Sequence, residues 1–216
     1  MKGFMTLDEA LSDPRLKQPW PDRYVELELR DSTVEDLSHA LDTAQDERPL
    51  QKFLEDHPDV MALAFPIHNC WVFPKPRLGG GKYIPDFLFC DRDSVGYNWT
   101  LIELESPKLR ATTKAGSVSG KCHHAIEQIC DYRRWLRDNA QFEASQGFKG
   151  LNADCDALVI IGRQDAARTV LGQERLAEFR KNHIEVASYD RLLTHARKYL
   201  QLAKKGNERA NALRPD

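Results

Sequence analysis

Five consecutive residues, Ala157-Leu158-Val159-Ile160-Ile161, carry no polar side chain, and the run stops at Gly162. A strand that is apolar on both faces must be covered on both, which is the position of a central strand in a sheet packed between helices. The segments around the run supply such helices. Gly120 to Arg137 reads as a long helix with Ala125, Ile129, Tyr132 and Leu136 on one face, and Leu171 to Lys181 as a shorter one. Ile184–Ala187 follows as a strand, and Asp190 to Ala203 as the last helix.

Upstream lie three more strand candidates. Asn69 to Phe73 ends at Pro74, Tyr83 to Cys90 follows Gly79-Gly80-Gly81, and Asn98 to Glu105 is stopped by Pro107. Before them, Thr33 to Ala44 has helical spacing, with Ser32 or Thr33 as N-cap. A second helix runs from Asp46 to about His57, with Pro49 tolerated in its first turn. Tyr24 to Leu29 alternates with period two and predicts a short strand. Helices and strands interleaved in this order predict an α/β fold with a mixed sheet flanked by helices.

At 216 residues the chain is sized for one such domain. Hydrophobic residues at 41% and charged residues at 30% exclude a disordered chain. The formal net charge of −2 speaks against a DNA-coating protein, which is usually strongly basic, though an enzyme acting on DNA need be basic only locally. Met1 to Glu9 lacks the apolar run of a signal peptide, and no stretch approaches membrane-spanning length, so a soluble cytoplasmic protein is expected. Cys70, Cys90, Cys122, Cys130 and Cys155 are scattered and odd in number, which favours reduced thiols over a disulfide framework.

The residues able to do chemistry lie in Ile84-Pro85-Asp86-Phe87-Leu88 and Leu101-Ile102-Glu103-Leu104-Glu105. Side chains alternate along a strand, so Glu103 and Glu105 share one face while Ile102 and Leu104 turn to the core on the other. Antiparallel pairing with the preceding strand adds Asp86 to the two glutamates. Converging carboxylates form a hard oxygen site suited to Mg²⁺ or Mn²⁺ and poorly suited to zinc. The plain structural alternative is a solvated strand face.

These segments, together with His124-Ala125-Ile126-Glu127-Gln128-Ile129-Cys130-Asp131-Tyr132-Arg133-Arg134-Trp135, resemble the nuclease domain of the Shedu family of bacterial anti-phage defence proteins. Glu47 to Pro58, Ala157 to Arg163 and Ser188 to Leu193 resemble that domain's first helix and closing segments, so the likeness spans about residues 46 to 195. It implies a restriction-endonuclease-like fold of the PD-(D/E)XK class. It also implies a division into an extension (1–45), a nuclease-like domain (46–203) and a flexible tail (204–216). Asp86 and Glu103 match the metal-binding acids of the pattern, and Glu47 matches an acid on the first helix, with Glu55 as substitute. Gln128 and Tyr132 match a supporting pair one helical turn apart; core packing is the other reading of Tyr132.

The pattern's lysine is replaced by Glu105, which can act only as a further metal ligand or a base. Either a lysine enters from elsewhere, with Lys108 nearest in sequence and Lys82, Lys114 and Lys121 as further candidates, or the site does not cut. Basic residues from Lys75 to Lys121, and Arg133, Arg134 and Arg137 on the helix, offer phosphate contacts or a solvated face. Gly79-Gly80-Gly81-Lys82 lacks phosphate-loop spacing, and Cys122-His123-His124 with Cys130 lacks zinc spacing.

The resemblance thus implies a Mg²⁺- or Mn²⁺-dependent nuclease acting on phage DNA and working as a homo-oligomer. Two other readings stand beside it: a module of the same fold that binds DNA or a protein without cutting, and one component of a multi-protein defence operon.

Overall fold

The computed structural model describes residues 19–65, 69–164 and 169–212, with residues 207–212 described by backbone alone. Residues 1–18 of the expected extension and 213–216 of the expected tail lie outside the described residues. In chain order the elements are α1 (Asp31–Thr43), α2 (Arg48–Asp56), α3 (Pro58–Ala62), β1 (Asn69–Pro74), β2 (Phe87–Arg92), β3 (Tyr97–Leu104), α4 (Gly120–Ser145), β4 (Asp156–Ile160), α5 (Val170–Arg180), β5 (Ile184–Ala187) and α6 (Asp190–Ala212).

The five strands form one sheet in sequential order. The β1–β2 and β2–β3 pairs are antiparallel hairpin neighbours, whereas β3–β4 and β4–β5 are parallel and need the crossover helices α4 and α5. This is the mixed α/β sheet flanked by helices that the sequence predicts, and it is consistent with a restriction-endonuclease-like fold.

Period-two alternation sorts the strand residues between two cores. Val72, Phe87, Phe89, Ile102, Leu104, Leu158 and Ile160 face α1, α2, α3 and α6. Phe73, Leu88, Trp99, Leu101, Ala157, Val159 and Val186 face α4 and α5. Each large apolar side chain buried in this way contributes about 1.5–3 kcal/mol. The β4 run is covered on both sides, as its composition requires. Where that run ends, Gly162 (φ +69°) lies so close to the Leu109 carbonyl that an added Cβ would sit 2.1 Å from its oxygen. Only glycine lets the chain turn there.

Several local expectations change. Tyr24 to Leu29 forms no strand; Tyr24 makes a single bridge to Trp71, and the Val25 N–H donates to the Cys70 carbonyl along the outer edge of β1. Helix α1 starts at Asp31, and neither Ser32 nor Thr33 caps it. Beyond Pro58 the chain forms another short helix, α3, because proline fits a first turn. Strand β2 starts at Phe87 rather than Tyr83: Pro85 has no N–H to donate, and Tyr83 instead pairs back to Leu78. Helix α4 continues to Ser145 with a kink at Asn139, and α6 continues past Ala203 to Ala212. No disulfide joins the five cysteines.

Candidate active site

The β1–β2–β3 register brings the acids together. Pro74 pairs with Phe87, and Phe87 with Ile102. One step outward, Lys75, Asp86 and Glu103 fall in a row across the three strands, and directly opposed residues on paired strands share a face. The Lys75 N–H donates to the Asp86 carbonyl (2.9 Å), which fixes this step. Asp86 and Glu103 therefore lie side by side at the carboxyl end of β3, the end at which open α/β sheets bind ligands.

That face is not solvated. Helix α4 covers it, and Glu103 is only 6% exposed. Its Oε1 is buried without a hydrogen-bond partner. Burial above all, with the negative charge of Asp86, pushes the Glu103 carboxyl up to about 8; the Tyr132 hydroxyl and Lys75 pull it back only in part. Tyr132 is buried, hydrogen-bonds Glu103 and is itself hydrogen-bonded by Gln128, and burial raises its phenol well above the usual range. The pair one turn apart on α4 is thus linked in series to the acid, and Tyr83 packs edge-on against Tyr132 (5.8 Å between ring centroids).

Asp86 is held from two sides. Its Oδ2 accepts from the Leu104 N–H at 2.7 Å, and its Oδ1 pairs with the Lys75 ammonium. Glu105, half-buried, stands farther out on the strand. Burial chiefly raises its carboxyl, Glu47 and Asp86 add to the rise, and Lys121 and His124 oppose it. Glu47, at the N-cap of α2, completes this outer rim.

The expected ligand set of Asp86, Glu103, Glu105 and Glu47 is accordingly not gathered into one cluster. Among the described residues no group of three or more Asp, Glu, His or Cys side chains is arranged to close around a cation. Asp86 and Glu103 nevertheless suit Mg²⁺ or Mn²⁺, since such ions commonly take one or two carboxylates and complete their shell with water and substrate phosphate. The orphaned oxygens point the same way. Of six buried side-chain polar atoms without a partner among the described residues, three belong to residues around these acids: Glu103 Oε1, Gln51 Oε1 and the Tyr189 hydroxyl. Native proteins rarely leave such groups unsatisfied unless a water or an ion completes them.

Three residues at the site escaped the sequence reading. Gln51 occupies the buried face of α2, and its Nε2 reaches Glu55 (2.7 Å) and the Asp86 carbonyl (3.4 Å). Its signal was a polar residue at an apolar helical position. Tyr189 is fully buried; burial raises its phenol, and the charges of Asp86, Glu47 and Glu105 add to the rise. Lys75 was visible only as one of several basic residues.

The lysines named from sequence are placed otherwise. Lys108 does not reach the acids: Pro107 has already ended the strand, and the Lys108 Nζ turns to the Asp42 carbonyl (3.4 Å). Lys82 lies over the Tyr83 and Trp135 rings, Lys114 is exposed, and Lys121 flanks Glu105. Arg133 is structural, its guanidinium donating to the carbonyls of Cys155, Asn182 and His183. Beside Glu105, Arg110, Lys121, His124 and the first residues of α4 line a hollow of about 670 Å³. A second hollow, about 740 Å³, lies between α5, β5 and α6 and is lined by none of the acids of the site.

Residues 44–193, which include every acid of the site, match the family model described as Shedu protein SduA, C-terminal. The chain belongs to the Shedu family. Membership implies a role in anti-phage defence. A comparison with curated proteins gave no match. Among the described residues no helix is long and apolar enough to cross a membrane. In this Shedu chain Glu103 sits on strand β3 and Asp86 immediately before strand β2, tied to β3 by the Leu104 N–H, which holds the two carboxylates near each other.

Proposed function

We propose that the protein is a metal-dependent nuclease of the PD-(D/E)XK class that hydrolyses phosphodiester bonds in phage DNA. The observation carrying this reading is the opposed pair Asp86 and Glu103, of which Glu103 is buried with an orphaned oxygen, with Lys75 the one cation among the described residues paired to the two acids.

Asp86 and Glu103 would hold a Mg²⁺ or Mn²⁺ ion. When bound, that ion supplies positive charge at the scissile phosphate and orients water. The protein's own groups do the rest. Tyr132, tethered by Gln128, keeps the Glu103 carboxyl in one rotamer, and the Leu104 N–H does the same for Asp86. Glu105 stands near enough to sense Asp86 and is half-buried, which suits it to accept a proton from water. In the overall reaction the water oxygen joins phosphorus, one ester P–O bond breaks, and one proton passes from water to the departing oxygen. The hollow at the start of α4, with Arg110, Lys121 and the positive end of the helix, would bind a neighbouring phosphate of the same strand.

The test is cleavage of plasmid and single-stranded DNA in Mg²⁺ and in Mn²⁺ by the protein, Asp86→Ala and Glu103→Gln. Cutting that needs the metal and is lost in both variants supports the reading. DNA binding without cutting under every condition would replace it with a binding module. Cutting that appears only with neighbouring defence-operon proteins would make the chain one component of a larger machine.

A further inference from the structure

The geometry points to Lys75 as the cation that the Glu105 position lacks: its ammonium, carried on the turn after β1, faces the phosphate held against Asp86 and Glu103. This rests on the nuclease reading and adds a residue to it.

Three observations carry the assignment. The first is the row itself, Lys75–Asp86–Glu103, set by two hairpin registers, so that Lys75 flanks the acids across the sheet while Glu105 lies two residues beyond Glu103 along the chain. The second is proximity. Lys108 and Lys82 are held by Asp42 and by aromatic rings, Lys114 is exposed and Lys121 stands by Glu105, whereas Lys75 ion-pairs with Asp86 and acts electrostatically on Glu103 as well. The third is the backbone. Lys75 has φ +47°, in the left-handed region that L side chains seldom adopt. Its neighbours are Pro74, paired to Phe87, and Pro76, and its N–H is fixed on the Asp86 carbonyl. A non-glycine residue held in that conformation costs about 1 kcal/mol or more, and such strain clusters at sites where a side chain must be aimed.

The side chain is about half exposed, so it can turn from Asp86 toward a phosphate without unburying anything. No bond to Lys75 forms or breaks. Its charge and hydrogen-bond donors lower the cost of the extra negative charge on the phosphorus-bound oxygens as water adds. A lysine in place of Glu105 would act from just beyond the end of β3; Lys75 acts from the turn after β1, beside Asp86.

The experiment compares full-length protein with Lys75→Met, Lys75→Arg and Asp86→Asn in two readings: DNA cleavage in Mn²⁺, and Mn²⁺ affinity by calorimetry. Near-ultraviolet circular dichroism reports folding. Lys75→Met is expected to slow cleavage by about 100-fold or more. It should bind Mn²⁺ as tightly as the parent or more tightly, because the ammonium no longer competes for Asp86. Lys75→Arg should restore part of the rate, and Asp86→Asn should lose both cleavage and affinity. If Lys75→Met fails to fold, the Lys75→Arg rate decides, and full parental activity with arginine counts in favour. Lys75→Met cutting within a few-fold of the parent while Asp86→Asn is dead overturns the role of Lys75 and leaves the nuclease reading intact. A loss of Mn²⁺ affinity that parallels the loss of cleavage also overturns it, making Lys75 part of the scaffold. A parent that cuts no DNA removes both.

Discussion

Helix α4 covers two buried glutamates, Glu103 beneath its first half and Glu143 within its second, and the two are treated differently. One oxygen of Glu143 receives two donors, the Gly79 N–H (2.7 Å) and the Trp135 indole N–H (3.0 Å). That carboxylate clasps the Gly79–Gly81 turn to the helix. Glu103 has a single phenol as donor and an acid as its neighbour across the strand. Each glutamate keeps one buried oxygen without a partner, but the company differs: backbone and indole donors share the other oxygen of Glu143, whereas Glu103 faces a second carboxylate, Asp86. Burial alone does not mark a site. A second acid set against the first does.

The contrast can be broken most sharply at the structural end. Glu143→Ala strips the turn and the indole of their common acceptor and should destabilise the fold by about 3 kcal/mol. Glu143→Gln, which keeps a carbonyl acceptor, should recover much of that. Urea unfolding measures both, and a loss under about 1 kcal/mol in the alanine variant would show that the clasp is idle.

The next effect tests the other end. The Glu103 carboxyl stands at about 8 in the folded protein against 4.5 in the free side chain. Below the lower value both states hold the proton, and stability is unaffected. Between the two values the unfolded chain sheds its proton first, so stability falls as pH rises and levels off above about 8. In EDTA, Glu103→Gln should remove this fall. Parallel curves for parent and variant would mean that the carboxyl is not buried as described.

A smaller effect is expected at the turn that Glu143 holds. Gly79 has φ +60°, and an added Cβ would lie 3.2 Å from Tyr83 and 3.3 Å from Trp135. Gly79→Ala should cost about 1 kcal/mol, read from the unfolding midpoint, and no change would argue that the turn readjusts freely. The smallest is Lys108→Ala. With its ammonium on a carbonyl of α1 it should move stability by less than about 0.5 kcal/mol and leave cleavage unchanged. A strong loss of cleavage would return Lys108 to the site.

Much of this architecture was legible because its signals are local. The apolar run of β4, the period of α4 and the short β5 each fix an element within a few residues, and alternation along β3 put Glu103 and Glu105 on one face. What alternation does not tell is whether the opposite layer is water or helix. The acid face was therefore open to a solvated reading until α4 was seen above it. Lys75, Gln51 and Tyr189 lay out of reach for a related reason: their meaning depends on strand register and on helices folding over the sheet end. Tyr24 to Leu29 shows the reverse error, a period of two without enough partner edge to become a strand.

The sequential strand order has a consequence for how the acid pair comes into being. Asp86 and Glu103 are a hairpin's length apart, so on the ribosome they meet as soon as that hairpin closes, before α4 has emerged to roof them over. The nascent chain thus passes through a stage in which the pair is open to water and to any dissolved cation, and only later does the helix seal it.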